Sequence, residues 1–238
     1  MDEPLCSQLA VGDHELIAIV GAGGKSTILF SLGRELAENC ARVILTTTTK
    51  MATSQVTDPA CWSDDPVEVD RALESGRTLF VAVGTIPGKV TGPSPEAVDR
   101  LFTDTSADYV IVEADGARSM SVKAPAEHEP VIPSRSTLVV IVVGIDAVGR
   151  TLRSVAHRPE RIEAITGLAQ DTVVTVADLA AVLLHPEGGL KHIPENARVA
   201  LAITKVTPEA QRGATELASR LASHPSVERV VTVPLAGR

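Results

Sequence analysis

Three glycines, a lysine and two hydroxyl residues stand together in Gly21-Ala22-Gly23-Gly24-Lys25-Ser26-Thr27, directly after the apolar run 16–20. Glycines let a chain curl so that successive N–H groups point inward, and a following helix brings its positive end to the same spot. Lys25 can then reach the β- and γ-phosphates of a nucleotide, and the Ser26 hydroxyl can complete the shell of a Mg²⁺ ion. The spacing is the shorter G-x-x-G-K-S, because Ile19 stands where the longer phosphate-loop pattern has its first glycine. A plain glycine-rich turn from strand to helix is the bland alternative. The order strand, glycines, Lys, Ser favours nucleotide binding by residues 21–27.

A second chemical signal is the apolar strand 108–113, which runs out into Glu113-Ala114-Asp115-Gly116-Ala117-Arg118. An acid at the end of a hydrophobic strand is what holds Mg²⁺ or orients a nucleophile in phosphoryl-transfer sites. Two solvated acids at a strand end would look the same in isolation. Downstream of a phosphate loop, Lys25, Glu113 and Asp115 become the candidate catalytic groups. Ser26, Glu113, Asp115 and a threonine from the run 46–49, with Thr47 as the choice, become the candidate metal ligands. Those threonines follow the second strand, and open α/β sheets bind ligands beyond the carboxyl ends of their strands.

The long connection 114–135 carries Arg118, Lys123, His128 and Glu129, with three prolines that argue for an ordered loop. Together with Lys50, these side chains are candidates to hold a substrate or partner. A lone histidine is more often structural than chemical. Thr204 and Lys205 follow another strand, at the place where the N-K-x-D motif of GTPases reads the base. Thr204 replaces the Asn and Thr207 the Asp, which removes the anchor for guanine and favours ATP over GTP.

The elements needed to position these residues are legible from periodicity. Strands are expected at 15–20, 42–45, 78–83, 108–113, 137–143, 198–203 and 227–233. Helices are expected at 25–39, 65–76, 94–102 and 208–223, with 151–190 largely helical and residues 84–92 a hairpin excursion. Residues 1–14 offer no feature, and 51–65 read as polar and irregular. Strands alternating with helices imply an α/β fold of three layers, a mostly parallel sheet with helices on both faces, as one domain over 1–238.

Composition agrees. Of 238 residues, 44% are hydrophobic but only 2% aromatic, so the core must be built from Val, Ile, Leu and Ala. A net charge of −8 argues against general nucleic-acid binding. Cys6, Cys40 and Cys61 form no C-x-x-C pair and signal neither zinc nor a disulfide framework. With no secretory signal and no apolar run long enough to span a bilayer, a cytoplasmic protein without membrane association is expected.

The strings Thr46-Thr47-Thr48-Thr49-Lys50-Met51, Glu113-Ala114-Asp115-Gly116-Ala117-Arg118 and His128-Glu129-Pro130-Val131-Ile132-Pro133, with the loop at 21–27, resemble the YqeC family, accessory proteins of selenium-dependent molybdenum hydroxylases. The resemblance implies a nucleotide-binding protein of P-loop NTPase type, linked to maturation of such a hydroxylase or its selenium cofactor, with that hydroxylase as a partner. ATP or GTP with Mg²⁺ would be the cofactors. Three functions remain open from the residues: a Mg²⁺-dependent NTPase, a small-molecule kinase or Mur-like ATP-dependent ligase, and a non-catalytic, nucleotide-gated chaperone or carrier.

Overall fold

The computed structural model describes residues 3–56 and 60–234. At its centre is β1 (Glu15–Gly21), whose alternate residues are buried on opposite faces: Leu16, Ala18 and Val20 on one, Ile17 and Ile19 on the other. A strand buried on both faces reads as a continuous apolar run, which is why its sequence shows no polar alternation.

Among the described residues seven further strands join it: β2 (Val43–Thr47), β3 (Ala60–Cys61), β4 (Thr78–Val81), β5 (Tyr109–Glu113), β6 (Leu138–Gly144), β7 (Arg198–Val206) and β8 (Arg229–Pro234). They form one sheet in the order β8-β7-β6-β1-β5-β2-β4-β3, and every neighbouring pair is parallel. The chain leaves β1 toward β2, later returns to insert β5 between them, then builds β6, β7 and β8 outward on the other flank. The order therefore reverses at β1, and a crevice opens above its carboxyl end.

Helices cover the two faces unequally. On one face α1 (Lys25–Glu38) packs Ile28, Leu29, Leu32 and Leu36 against Ile17, Ile19 and Leu45, beside a short helix at Leu5–Gln8. The other face carries α2 (Pro66–Leu73), α3 (Pro95–Asp104), α4 (Val176–Leu184) and α5 (Gln211–Ala222). Side chains cap three of these: Asp65 on α2, Ser94 on α3 and Thr175 on α4. Among the described residues no helix is long and apolar enough to cross a membrane.

Several expectations change. The stretch 151–190 is three helices, Leu152–Val155, Pro159–Thr166 and α4, because Arg158 turns left-handed before Pro159 and Gly167 does so after Thr166. α5 begins at Gln211, after a turn through 208–210, and not at Pro208. The supposedly featureless lead-in sends Leu5 and Leu9 into the core under α1. Within the stretch 51–65, residues 57–59 lie outside the described ones. Its start is a strand, Lys50–Ala52, which joins the hairpin Gly84–Ile86 and Lys89–Thr91 in a small antiparallel sheet. Residues 114–135 are also tied down: Val122–Lys123 pairs in parallel with Ala156–His157.

Candidate functional site

The turn from β1 into α1 is held by steric necessity. Gly21 and Gly23 have φ of +93° and +92°. A Cβ on Gly21 would meet the Val142 carbonyl oxygen at 2.4 Å, and one on Gly23 would meet the Gly144 nitrogen at 2.3 Å, so neighbouring β6 demands glycine at both. The Ala22 N–H is given to the Val142 carbonyl and the Gly21 N–H to Asp115 Oδ2. Gly24 is the N-cap of α1 and no side chain caps that helix. Its first-turn N–H groups thus face the crevice without a side-chain acceptor, the arrangement that receives anions.

Lys25 bends back over this loop. Its Nζ donates to the Gly21 carbonyl at 2.9 Å and lies 3.3 Å from Asp115 Oδ1 and 3.8 Å from Glu113 Oε1. The Ser26 hydroxyl donates to Glu113 Oε2 at 2.8 Å and receives a hydrogen bond from Gln55. Burial pushes the Glu113 carboxyl above its ordinary pKa, against the opposing pull of Lys25 and Ser26.

The two acids ending β5 have different surroundings. Glu113 borders the crevice, whereas Asp115 is 2% exposed beneath the loop. Asp115 Oδ2 takes Lys123 Nζ at 2.9 Å, and Lys123 in turn reaches Glu129 Oε2 at 2.9 Å and the Gly116 carbonyl. Glu129 is closed by a two-pronged ion pair with Arg158, at 2.7 and 3.2 Å. Burial would raise the Glu129 carboxyl, but Arg158 and Lys123 outweigh it and hold its pKa at about 2. A cavity of about 20 Å³, bordered by Gly21, Asp115 and Lys123, lies under the loop and has room for about one water.

Above these groups opens a cleft of about 1000 Å³, at the upper end of small-molecule sites. Of the residues singled out from sequence, Gly23, Gly24, Lys25, Ser26, Thr27, Lys50, Glu113, Arg118, His128, Glu129 and Lys205 border it. The structure does not bring the others to the cleft. Gly21 and Ala22 form its underside, and Asp115 and Lys123 are internal struts. Thr47 is fully buried, with its hydroxyl donating to the Glu113 backbone carbonyl, so Thr48 and Thr49 present themselves instead.

Thr204 does not face the cleft either. Its hydroxyl bonds to the carbonyls of Gly23 and Val143, tying the end of β7 to the glycine turn. Lys205 pairs with Asp146 at 3.0 Å and donates to Ser121. Sequence reasoning missed Lys89, Arg158, His157 and Gln55, all on the cleft wall. Of these only Lys89 carried a signal, since it alternates with apolar Val90 in the hairpin.

Comparison with known proteins adds the following. The sequence profile of the YqeC family, described as YqeC protein, matches residues 17–160. The protein described as "Uncharacterized protein YqeC" from Escherichia coli (strain K12) is 37% identical over 186 residues, 77% of this chain and 73% of that protein. Among solved structures, Signal Recognition Particle 54 kDa protein from Aeropyrum pernix K1, crystallised in complex with GDP, aligns with a TM-score of 0.43 and 14% identity. That alignment takes in 93% of this chain and 42% of the other, so the chain spans less than half the length of that protein.

Proposed function

The chain belongs to the YqeC family, and from that premise we propose that it binds a nucleoside triphosphate with Mg²⁺ at residues 21–27 and acts as an NTPase. The carrying observation is the contact of Ser26 with Glu113 at 2.8 Å, at the uncapped start of α1 and beside Lys25. A hydroxyl and a buried carboxylate side by side form a hard-oxygen pair suited to Mg²⁺, which binds through one or two protein oxygens, water and the phosphates. Among the described residues no group of three or more His, Cys, Asp or Glu could hold a metal. A Mg²⁺ ion would therefore take the remainder of its shell from the nucleotide and water. Bound there, it would neutralise developing phosphate charge.

The residues' own tasks follow from their positions. The first-turn N–H groups of α1 and the Lys25 ammonium hold the phosphates, and Glu113 keeps the Ser26 hydroxyl oriented. Asp115 acts one step removed, holding the loop through the Gly21 N–H and Lys25 through its charge. Catalysis of this kind is positioning and charge neutralisation, so turnover in isolation is expected to be slow. Lys205 would supply its stem to the base, and no aspartate follows it at the position that would select guanine, which supports ATP over GTP. The assignment to maturation of a selenium-dependent molybdenum hydroxylase rests on the family resemblance.

Calorimetric titration with Mg-ATP and Mg-GTP tests this. Tight binding of one nucleotide, weakened at least about a hundredfold by Lys25→Ala, is the expected result, from the loss of charge-assisted contacts to phosphate. Unchanged affinity in that variant would remove the proposal.

A further inference from the structure

The cleft is larger than a phosphate loop needs, and its charge is the reverse of the chain's. Among its described lining residues are six Lys or Arg and two Glu, in a protein of net charge −8. Three of those cations are already matched: Lys25 with Asp115, Arg158 with Glu129 and Lys205 with Asp146. Among the described residues Lys50, Lys89 and Arg118 have no carboxylate partner.

Two of the three stand on a wall built for them. In the small antiparallel sheet, Lys50 pairs with Thr91 and Ala52 with Lys89, and all four border the cleft. The intervening pair, Met51 and Val90, is buried in the core on the opposite face. The alternation that anchors the sheet therefore puts both lysines on its cleft face, as diagonal neighbours with Cα atoms about 7–8 Å apart. Like charges at that spacing repel, and an anion between them removes the cost. Arg118 enters from the 114–135 connection, where it and Ser119 both adopt left-handed backbone, φ +48° and +61°. The positive field there also reaches His157, whose pKa is lowered first by burial and then by Arg158, Lys123 and Arg118.

We propose that Lys50, Lys89 and Arg118 form a second subsite, which takes the phosphate group of a phosphorylated small molecule lying beside the nucleotide. The subsite rests on the nucleotide reading and deepens it by giving the same cleft a second ligand. Lys50 and Lys89 approach from the small sheet and Arg118 from the connection after β5. The 3₁₀ turn Thr53–Gln55, which follows Lys50–Ala52, contacts the phosphate loop through Gln55 and Ser26. A ligand on the wall is thereby adjacent to the loop without using Lys25.

The test uses inorganic phosphate as probe, measured by equilibrium dialysis of the full chain in two forms. One is wild type saturated with Mg²⁺ and a non-hydrolysable ATP analogue; the other is the Lys25→Ala variant without nucleotide. One phosphate per chain is expected in both. Its affinity should fall about tenfold or more in Lys50→Ala/Lys89→Ala and in Arg118→Ala, the effect of losing charge-assisted hydrogen bonds. Nucleotide affinity should move by less than about threefold in the same variants, far less than in Lys25→Ala. Lys50→Gln/Lys89→Gln, which keeps stem packing, controls for folding and should give the same loss. Absence of phosphate in both forms overturns the subsite. So does a nucleotide loss in the wall variants equal to that of Lys25→Ala, since the cations would then belong to the nucleotide. If no nucleotide binds to wild type, the Lys25→Ala arm still reads the wall, so failure of the nucleotide proposal and failure of the subsite remain distinguishable.

Discussion

The floor of the cleft and the 114–135 connection beside it are held by different physics. The glycine turn between β1 and α1 is shaped by exclusion: φ values near +90° and β6 within van der Waals distance leave no room for a Cβ on Gly21 or Gly23. The 114–135 connection is shaped by attraction, through the buried chain Asp115–Lys123–Glu129–Arg158. A steric floor is indifferent to pH and salt. A connection held by buried ion pairs depends on every member staying charged and matched, because a buried charge that loses its partner keeps its desolvation cost. The two regions meet at Asp115, which serves the Gly21 N–H and Lys25 on one side and Lys123 on the other.

The largest effect should come from breaking the ion-pair chain of the 114–135 connection. Lys123→Ala leaves Asp115 and Glu129 facing each other without their shared cation, and should cost about 3–5 kcal/mol in urea unfolding. A loss below about 1 kcal/mol would mean that the ion pairs are incidental and that backbone pairing alone holds the connection. Next is the floor. Gly23→Ala combines a Cβ–backbone overlap with a left-handed φ and should cost about 2–3 kcal/mol. An unchanged unfolding midpoint would show that β6 can yield, and the contrast between rigid floor and charged connection would collapse.

The smallest effect is expected from pH, and it sharpens the comparison by its sign. Glu129, with its pKa lowered from 4.5 to about 2, contributes stability that is present above 4.5 and lost as pH falls toward 2. Glu113, with a raised pKa, contributes in the opposite sense: its share is present below its unfolded pKa and fades as pH rises through its folded value. Unfolding midpoints measured from pH 2 to 7 should therefore show an acid-side loss in wild type that Glu129→Gln lacks. The same loss in both proteins would place the acid-sensitive group elsewhere.

Much of this was legible in the chain because it is local. Residues 16–20 are continuously apolar and the loop after them is glycine-rich, so β1, the turn and α1 could be placed to within a residue or two. The helices expected at 65–76 and 94–102 were legible for the same reason. Roles that depend on distant partners were not legible. Asp115 and Lys123 read as site residues from their types, yet the fold uses them as struts; Thr47 and Thr204 read as ligands, yet their hydroxyls hold backbone carbonyls. Nothing near Arg158 in sequence marks it as the partner of Glu129.

What the sequence determined by itself is the parallel α/β plan and the anion-ready turn, because strand period, helix period and glycine conformational freedom act within a few residues. Tertiary structure alone decided which of several lysines, acids and threonines meet the cleft. That choice follows from inserting β5 between β1 and β2 and seating a small sheet over the crevice. The competition between burial and pairing then settles each charge one contact at a time.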